Sequence, residues 1–179
     1  MEYAISILLS GISVGGQYAL IAIGYTMVYG ILRLINFAHG DVFMVAGLIG
    51  IYLSASMPLY ISLPLVVILT IALAYLIERV AYRPLRQAPR MSVMISAIGV
   101  SYLLQNTATY ITGGQPMTYP TVPALTSTIP IAGTPIKMVV LLTPILVIIL
   151  VVLLTLLINR TKVGMAMRAV SKDFETAQL

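Results

Sequence analysis

Residues 138–159 read MVVLLTPILVIILVVLLTLLIN, an uncharged and mostly apolar stretch between Lys137 and Arg160. A helix of this length rises about 33 Å at 1.5 Å per residue, and a bilayer's hydrocarbon core is about 30 Å thick. Such a stretch has no place in a water-soluble globule of this size. The chain as a whole agrees. Of 179 residues, 60% are hydrophobic and only 8% charged, against about 25% charged in soluble domains. An ordinary soluble domain, a disordered tail and a nucleic-acid-binding domain are thereby excluded. The net charge of +5 leaves ten scattered cations against five anions, too few for a phosphate-binding face.

Working outward, the charges divide the remaining chain into further uncharged runs: Tyr3–Leu32, Val42–Ile77 and Met91–Ile136. The first fits one long span. It follows an acidic flank, Met1-Glu2, and exceeds a signal-peptide core, so it reads as a retained membrane helix. The second would make a helix of roughly 54 Å, too long for one crossing, and Pro58 and Pro64 interrupt it. The third holds one span followed by a loop over Thr112–Pro135, marked by Gly113-Gly114, Pro116, Pro120, Pro123, Pro130 and Gly133-Thr134-Pro135. The expectation is an all-α polytopic membrane protein with about five transmembrane helices, at 5–32, 42–57, 63–77, 92–111 and 138–159. A polar segment follows at 160–179. All of 1–179 is read as part of one transmembrane domain, lying in a lipid bilayer.

Orientation follows from the cations. Arg79, Arg83, Arg86 and Arg90 share one connection, and Arg160, Lys162, Arg168 and Lys172 share another. Five spans put both on one side, the cytoplasmic one by the positive-inside rule. The N-terminus is then outside, and Arg33–Asp41 is cytoplasmic or re-entrant. With one span over Val42–Ile77, Arg33 and the basic segments would fall on opposite sides.

There is no cysteine and one histidine, His39. Disulfides, a thiolate metal site, a cysteine nucleophile and a multi-histidine metal centre are excluded. Gly11 and Gly15 place two small patches on one helix face, and Gly47 repeats the theme in the second span. Such faces allow close helix packing or sliding. Gln105 and Asn106 are polar positions inside the fourth span, where interhelical hydrogen bonds or a pathway lining both fit. No ionisable residue is expected in mid-span, which argues against proton-coupled transport. The cluster Asn36-Phe37-Ala38-His39-Gly40-Asp41 has two readings. Asp41 caps the second helix while Gly40 allows the sharp turn into it, or the cluster is a helix break at a transport pathway. His39 and Asp41 lack a nucleophile or third member for catalysis. The end of the third span, Glu78–Arg86, is an interfacial anchor or a docking contact.

Several segments, in order, resemble one family. They are Tyr18–Ile31 (YALIAIGYTMVYGI), Ile35–Gly40 (INFAHG), Ile77–Arg86 (IERVAYRPLR), Ile95–Gly99 (ISAIG) and Gly164–Ser171 (GMAMRAVS), ending Ala177-Gln178-Leu179. Together they resemble the permease subunit of high-affinity branched-chain amino-acid ABC importers. The resemblance implies a chain that is not itself an enzyme and has no Walker motif. It implies a second, related permease, two cytoplasmic ATPases that bind ATP and Mg, and a periplasmic amino-acid-binding protein, in the cytoplasmic membrane of a bacterium or archaeon. No cofactor or metal is expected on this chain, nor a nucleic acid partner. The implied cargo is leucine, isoleucine and valine, with urea, short amides and other amino acids as alternatives. The resemblance also implies a cytoplasmic coupling helix near Met165–Leu179, with Arg168, Ala169, Asp173 and Ala177 toward an ATPase. An interfacial amphipathic tail is the plainer reading of the same residues. Family members carry further spans and continue the coupling motif with Gly-Ile. The chain is therefore expected to be the N-terminal part of a permease, unable to transport alone; a non-transporting membrane fragment is the other reading.

Overall fold

The computed structural model describes residues 2–32, 35–85, 87–121, 123–131 and 134–172. Arg33, Arg86, Asp173 and Ala177 lie outside them. The elements are helices α1 (Glu2–Leu32), α2 (His39–Ser56), α3 (Leu59–Ile77), α4 (Arg90–Thr112), the one-turn α5 (Pro123–Thr126), strands β1 (Thr128–Ile131) and β2 (Thr134–Lys137), then α6 (Met138–Arg160) and α7 (Lys162–Lys172). They form two compact units, one of residues 1–33 and 121–179, the other of 34–120.

Among the described residues, four helical stretches are long and apolar enough to cross a membrane: Ala4–Gly30, His39–Ser56, Leu59–Leu85 and Met138–Arg160. Helix α4 has the length, at 23 residues, but Ser101, Gln105, Asn106, Thr107 and Thr109 dilute its hydropathy. It is the helix with most polar side chains to place, and a polar face in a membrane helix turns toward protein or a water-filled space.

In the first unit α1 packs along α6. The contact is made possible by Gly16, where a Cβ would stand 3.2 Å from Cγ2 of Val147. Gly11 and Gly15, the expected packing pair, have open space around their missing side chains. The close approach has shifted by one residue because α6 meets α1 along the Gly16 side of the helix. Within the expected loop, β1 and β2 form a short antiparallel hairpin in which Pro130 faces Pro135. Proline suits a two-stranded ribbon, whose outer edges need no ladder donors. Ile136 of β2, paired with Ile129, is buried.

In the second unit α2 packs on both α3 and α4. The break between α2 and α3 falls at Met57-Pro58, with Pro58 preceding the first turn. The third helix starts at Leu59 rather than at 63, and Pro64 lies inside it. Membrane helices tolerate such prolines because neighbours satisfy the freed carbonyl. The buried Ser62 hydroxyl approaches Ser54 Oγ at 3.3 Å, and Ser54 meets Tyr119 Oη at 3.0 Å. The Tyr119 ring also covers Gly50. The loop after α4 is thus laid over α2. It starts at Gly113 and Gly114, with φ of 63° and 70°, left-handed values that glycine adopts without penalty. Their N–H groups take up the Thr109 carbonyl and end α4.

Helix α3 does not stop at Ile77. It runs on as a π turn over Glu78–Tyr82 and a 3-10 turn over Arg83–Leu85. Ser96 Oγ donates to the Ala81 carbonyl at 3.1 Å, tying this widened turn to α4.

Candidate functional site

The cluster Asn36–Asp41 builds the start of α2 by a different device from the one expected. Position 38, not Asp41, precedes the helix, and no side chain caps it. Instead Asn36 Oδ1 accepts the Ala38 N–H at 3.1 Å, and the Asn36 carbonyl accepts the His39 N–H at 3.2 Å. The same Oδ1 accepts the Tyr82 hydroxyl at 2.8 Å. Ala38 is wholly buried. Gly40 lies inside the helix and has no positive φ. A local turn set by Asn36, pinned from the distant π turn by Tyr82, does the work assigned to Asp41 and Gly40. His39 opens the helix, half-buried.

Asp41 is thereby freed for a longer-range contact. It sits in the first turn of α2, where a negative charge suits the helix dipole. Gln105 Nε2 donates to its Oδ1 at 3.0 Å and to Ser101 Oγ at 3.1 Å. Interhelical hydrogen bonds in membrane proteins average about 0.6 kcal/mol. The pair therefore orients the carboxylate more than it stabilises the fold. Asn106, the neighbouring candidate, spends its amide on the Tyr102 carbonyl of its own helix at 2.7 Å.

Gln105 stands fifteen residues along α4 from Arg90, so the start of α2 at Asp41 meets the second half of α4 rather than its beginning.

Beyond Gln105 an open groove of about 630 Å³ lies between the two helices. Met44, Gly47, Leu48 and Ile51 of α2 line one wall, and Ala108, Thr109 and Thr112 of α4 the other, with Gln115–Met117 across the end. The two threonine hydroxyls donate to carbonyls one turn back, so methyl groups dominate that wall. Gly47 contributes no side chain, and a Cβ there would meet nothing within 4 Å.

In the other unit α7 follows α6 after a single residue, Thr161. Its hydroxyl donates to the Leu157 carbonyl at 2.5 Å and accepts the Gly164 N–H at 3.1 Å. It ends one helix and caps the next. Gly164 is buried against the end of α6, and a Cβ there would collide with the Leu157 and Ile158 carbonyls. Helix α7 folds back onto α6 and α1. Gly164, Met167, Val170 and Ser171 turn inward, whereas Lys162, Met165, Arg168 and Ala169 are exposed. Two of the expected coupling residues, Arg168 and Ala169, thus share the outer face. Asp173 and Ala177 fall outside the described residues. Sequence reasoning missed Gly164, although a glycine three residues after a Thr that separates two helices was a legible signal of a tight elbow.

Comparison with known proteins places these features. A family model described as "Branched-chain amino acid transport system / permease component" matches residues 7–179. The high-affinity branched-chain amino acid transport system permease protein BraD of Pseudomonas aeruginosa is 41% identical over 186 residues, covering 96% of this chain and 60% of that protein. The corresponding protein LivH of Escherichia coli is 35% identical, covering 99% of this chain and 62% of its own length. The chain therefore spans about 60% of the length of these curated relatives. No solved structure matches it.

Proposed function

The chain belongs to the branched-chain amino acid transport system permease family, and from that membership we propose that it forms part of the transmembrane pathway of an ATP-driven importer for leucine, isoleucine and valine. The observation that carries this reading is the family match over residues 7–179. Two relatives at 35–41% identity are themselves named for branched-chain amino acid transport. The chain is a multi-pass membrane protein and a transport component. Chemistry is supplied elsewhere: two cytoplasmic ATPases bind ATP and Mg, a related permease completes the pathway, and a periplasmic binding protein delivers the amino acid.

Within this scheme the exposed face of α7, with Arg168 and Ala169, seats in an ATPase. Its one-residue link to α6 passes movement into the span. In reconstituted vesicles holding every subunit, ATP drives leucine accumulation, and omitting this subunit abolishes it. Accumulation that persists without the subunit contradicts the reading.

The basic connections set the sidedness. The chain has no cysteine, so single cysteines can report it. Cysteines at Gln87 and Lys162 are expected to react with an impermeant maleimide only from the cytoplasmic side, and one at Gln115 only from outside. Opposite labelling of the first two overturns five crossings.

A further inference from the structure

We propose that residues 113–120 form a hinged strap that closes the end of the groove between α2 and α4, with the Tyr119 side chain as its latch and Ser54 as the catch. The strap controls access to the groove whatever solute enters it. It adds a moving part to the molecule and not a ligand.

The segment has the parts of a hinge. Gly113 and Gly114 both hold positive φ, 63° and 70°, and their N–H groups turn back onto the Thr109 carbonyl. Two successive glycines form the freest joint that a backbone offers. Pro116 and Pro120 follow, and each proline fixes its own φ and restricts the residue before it. Bending is thus easiest at the glycine pair, and the segment beyond it moves as a short, stiffened arm. Gln115, Pro116 and Met117 of that arm line the end of the groove. Residues 116–118 are exposed, so the middle of the arm buries little surface, and segments of that kind open at low cost.

The far end of the arm is fastened. The Tyr119 hydroxyl meets Ser54 Oγ at 3.0 Å, and its ring lies over the buried Gly50, 3.4 Å from where a Cβ would stand. Ser54 is positioned in turn by the wholly buried Ser62, whose Oγ lies 3.3 Å away. Ser62 also donates to the Leu59 carbonyl at 3.2 Å. The catch is therefore anchored in the packing of α2 on α3 and does not depend on the strap. This run of hydroxyls gives the ring one seat, where apolar contact alone would let it slide. A single ordinary hydrogen bond shifts an equilibrium by about fivefold, enough to favour the closed strap and too little to lock it. When the latch releases, rotation about the glycine pair lifts Gln115–Met117 from the end of the groove.

The test uses the subunit assembled with its partners in vesicles and reads access to the groove directly. The chain has no cysteine, and Ala108 is buried in the groove wall, so Ala108→Cys places this subunit's one thiol there. The probe is N-ethylmaleimide, which crosses membranes, so its labelling rate depends neither on sidedness nor on transport; mass spectrometry of the α4 peptide follows it. Tyr119→Phe keeps the ring and removes the hydroxyl. Ser54→Ala removes the catch and leaves Ser62 bonded to Leu59. Each is expected to raise the labelling rate of Ala108→Cys about fivefold, and the two together no more than either alone, because both break the same bond. A cysteine at the exposed Gln87, near the start of α4, should label at one rate in every background. A rate at Ala108→Cys that neither substitution changes, or a rise matched at Gln87, overturns the strap. The transport reading is untouched by either result, since it fails only if the assembled importer accumulates no branched-chain amino acid.

Discussion

Replacing Gly164 by alanine is expected to reduce ATP-driven leucine uptake by more than tenfold while leaving the protein in the membrane. The cause is steric. Helix α7 turns back within one residue of α6, and the Gly164 Cα lies against the last carbonyls of α6. A methyl group there would overlap the Leu157 and Ile158 carbonyls. Both are backbone atoms of a regular helix, so relief requires α7 to swing outward. Overpacking of this kind costs about 1–3 kcal/mol, which the apolar spans of α1 and α6 absorb without leaving the bilayer. The geometry of α7 does not survive it. Uptake in proteoliposomes measures the effect, with membrane content of the subunit scored by immunoblot. Thr161→Val offers a graded comparison. It removes only the hydroxyl that caps α7, worth about 1 kcal/mol, and should impair uptake less. Gly164→Ala at the wild-type rate would show that the elbow has no part in transport.

Reversing the outer face of α7, with Arg168→Glu and Ala169→Glu together, is expected to lower uptake about a hundredfold or more. These positions are exposed and face away from α6 and α1. The substitutions therefore leave the subunit's own packing intact. At a protein interface, an unpaired charge costs about 2–5 kcal/mol. Uptake and ATPase activity should separate: ATPase turnover that no longer responds to amino acid would mark lost coupling, whereas loss of the subunit from the membrane would mark misfolding. Uptake within twofold of wild type would remove α7 from the ATPase interface.

The two substitutions differ in how far the sequence announces them. Arg168 and Gly164 both lie in the motif GMAMRAVS. The steric role of Gly164 depends on where α6 ends, which the glycine's spacing from Thr161 hints at and the motif does not express. The same contrast runs through the fold. Five long helices could be read from fifteen charged residues, because hydrocarbon excludes charge so strongly that uncharged length is itself a structural measurement. The start of α3 at Leu59 could not, since Pro64 is a helix breaker in water and tolerable in a packed membrane helix. Nor could the hairpin over Thr128–Lys137, whose prolines weigh against strands in general but not in a two-stranded ribbon. At the site, Asp41 and Gln105 were both singled out, separately. Asp41 was given a local role as a cap because local chemistry is all that spacing expresses. Its partner is 64 residues away, and Asn36 and Tyr82 perform the local task. The small-residue pair Gly11 and Gly15 was the same kind of reading. Spacing located a small face, but only the position of Val147 shows that Gly16 carries the close contact.

What crosses the membrane, and what drives it, is the defining property of this chain's assembly. The most direct measurement is accumulation of radiolabelled solutes in vesicles containing all the importer's subunits, with ATP or a non-hydrolysable analogue on the cytoplasmic side. Leucine, isoleucine and valine should accumulate with ATP and not with the analogue, and urea and acetamide should not accumulate under either condition. Accumulation of urea or acetamide in place of the three amino acids, or leucine entry that is indifferent to ATP hydrolysis, would contradict it.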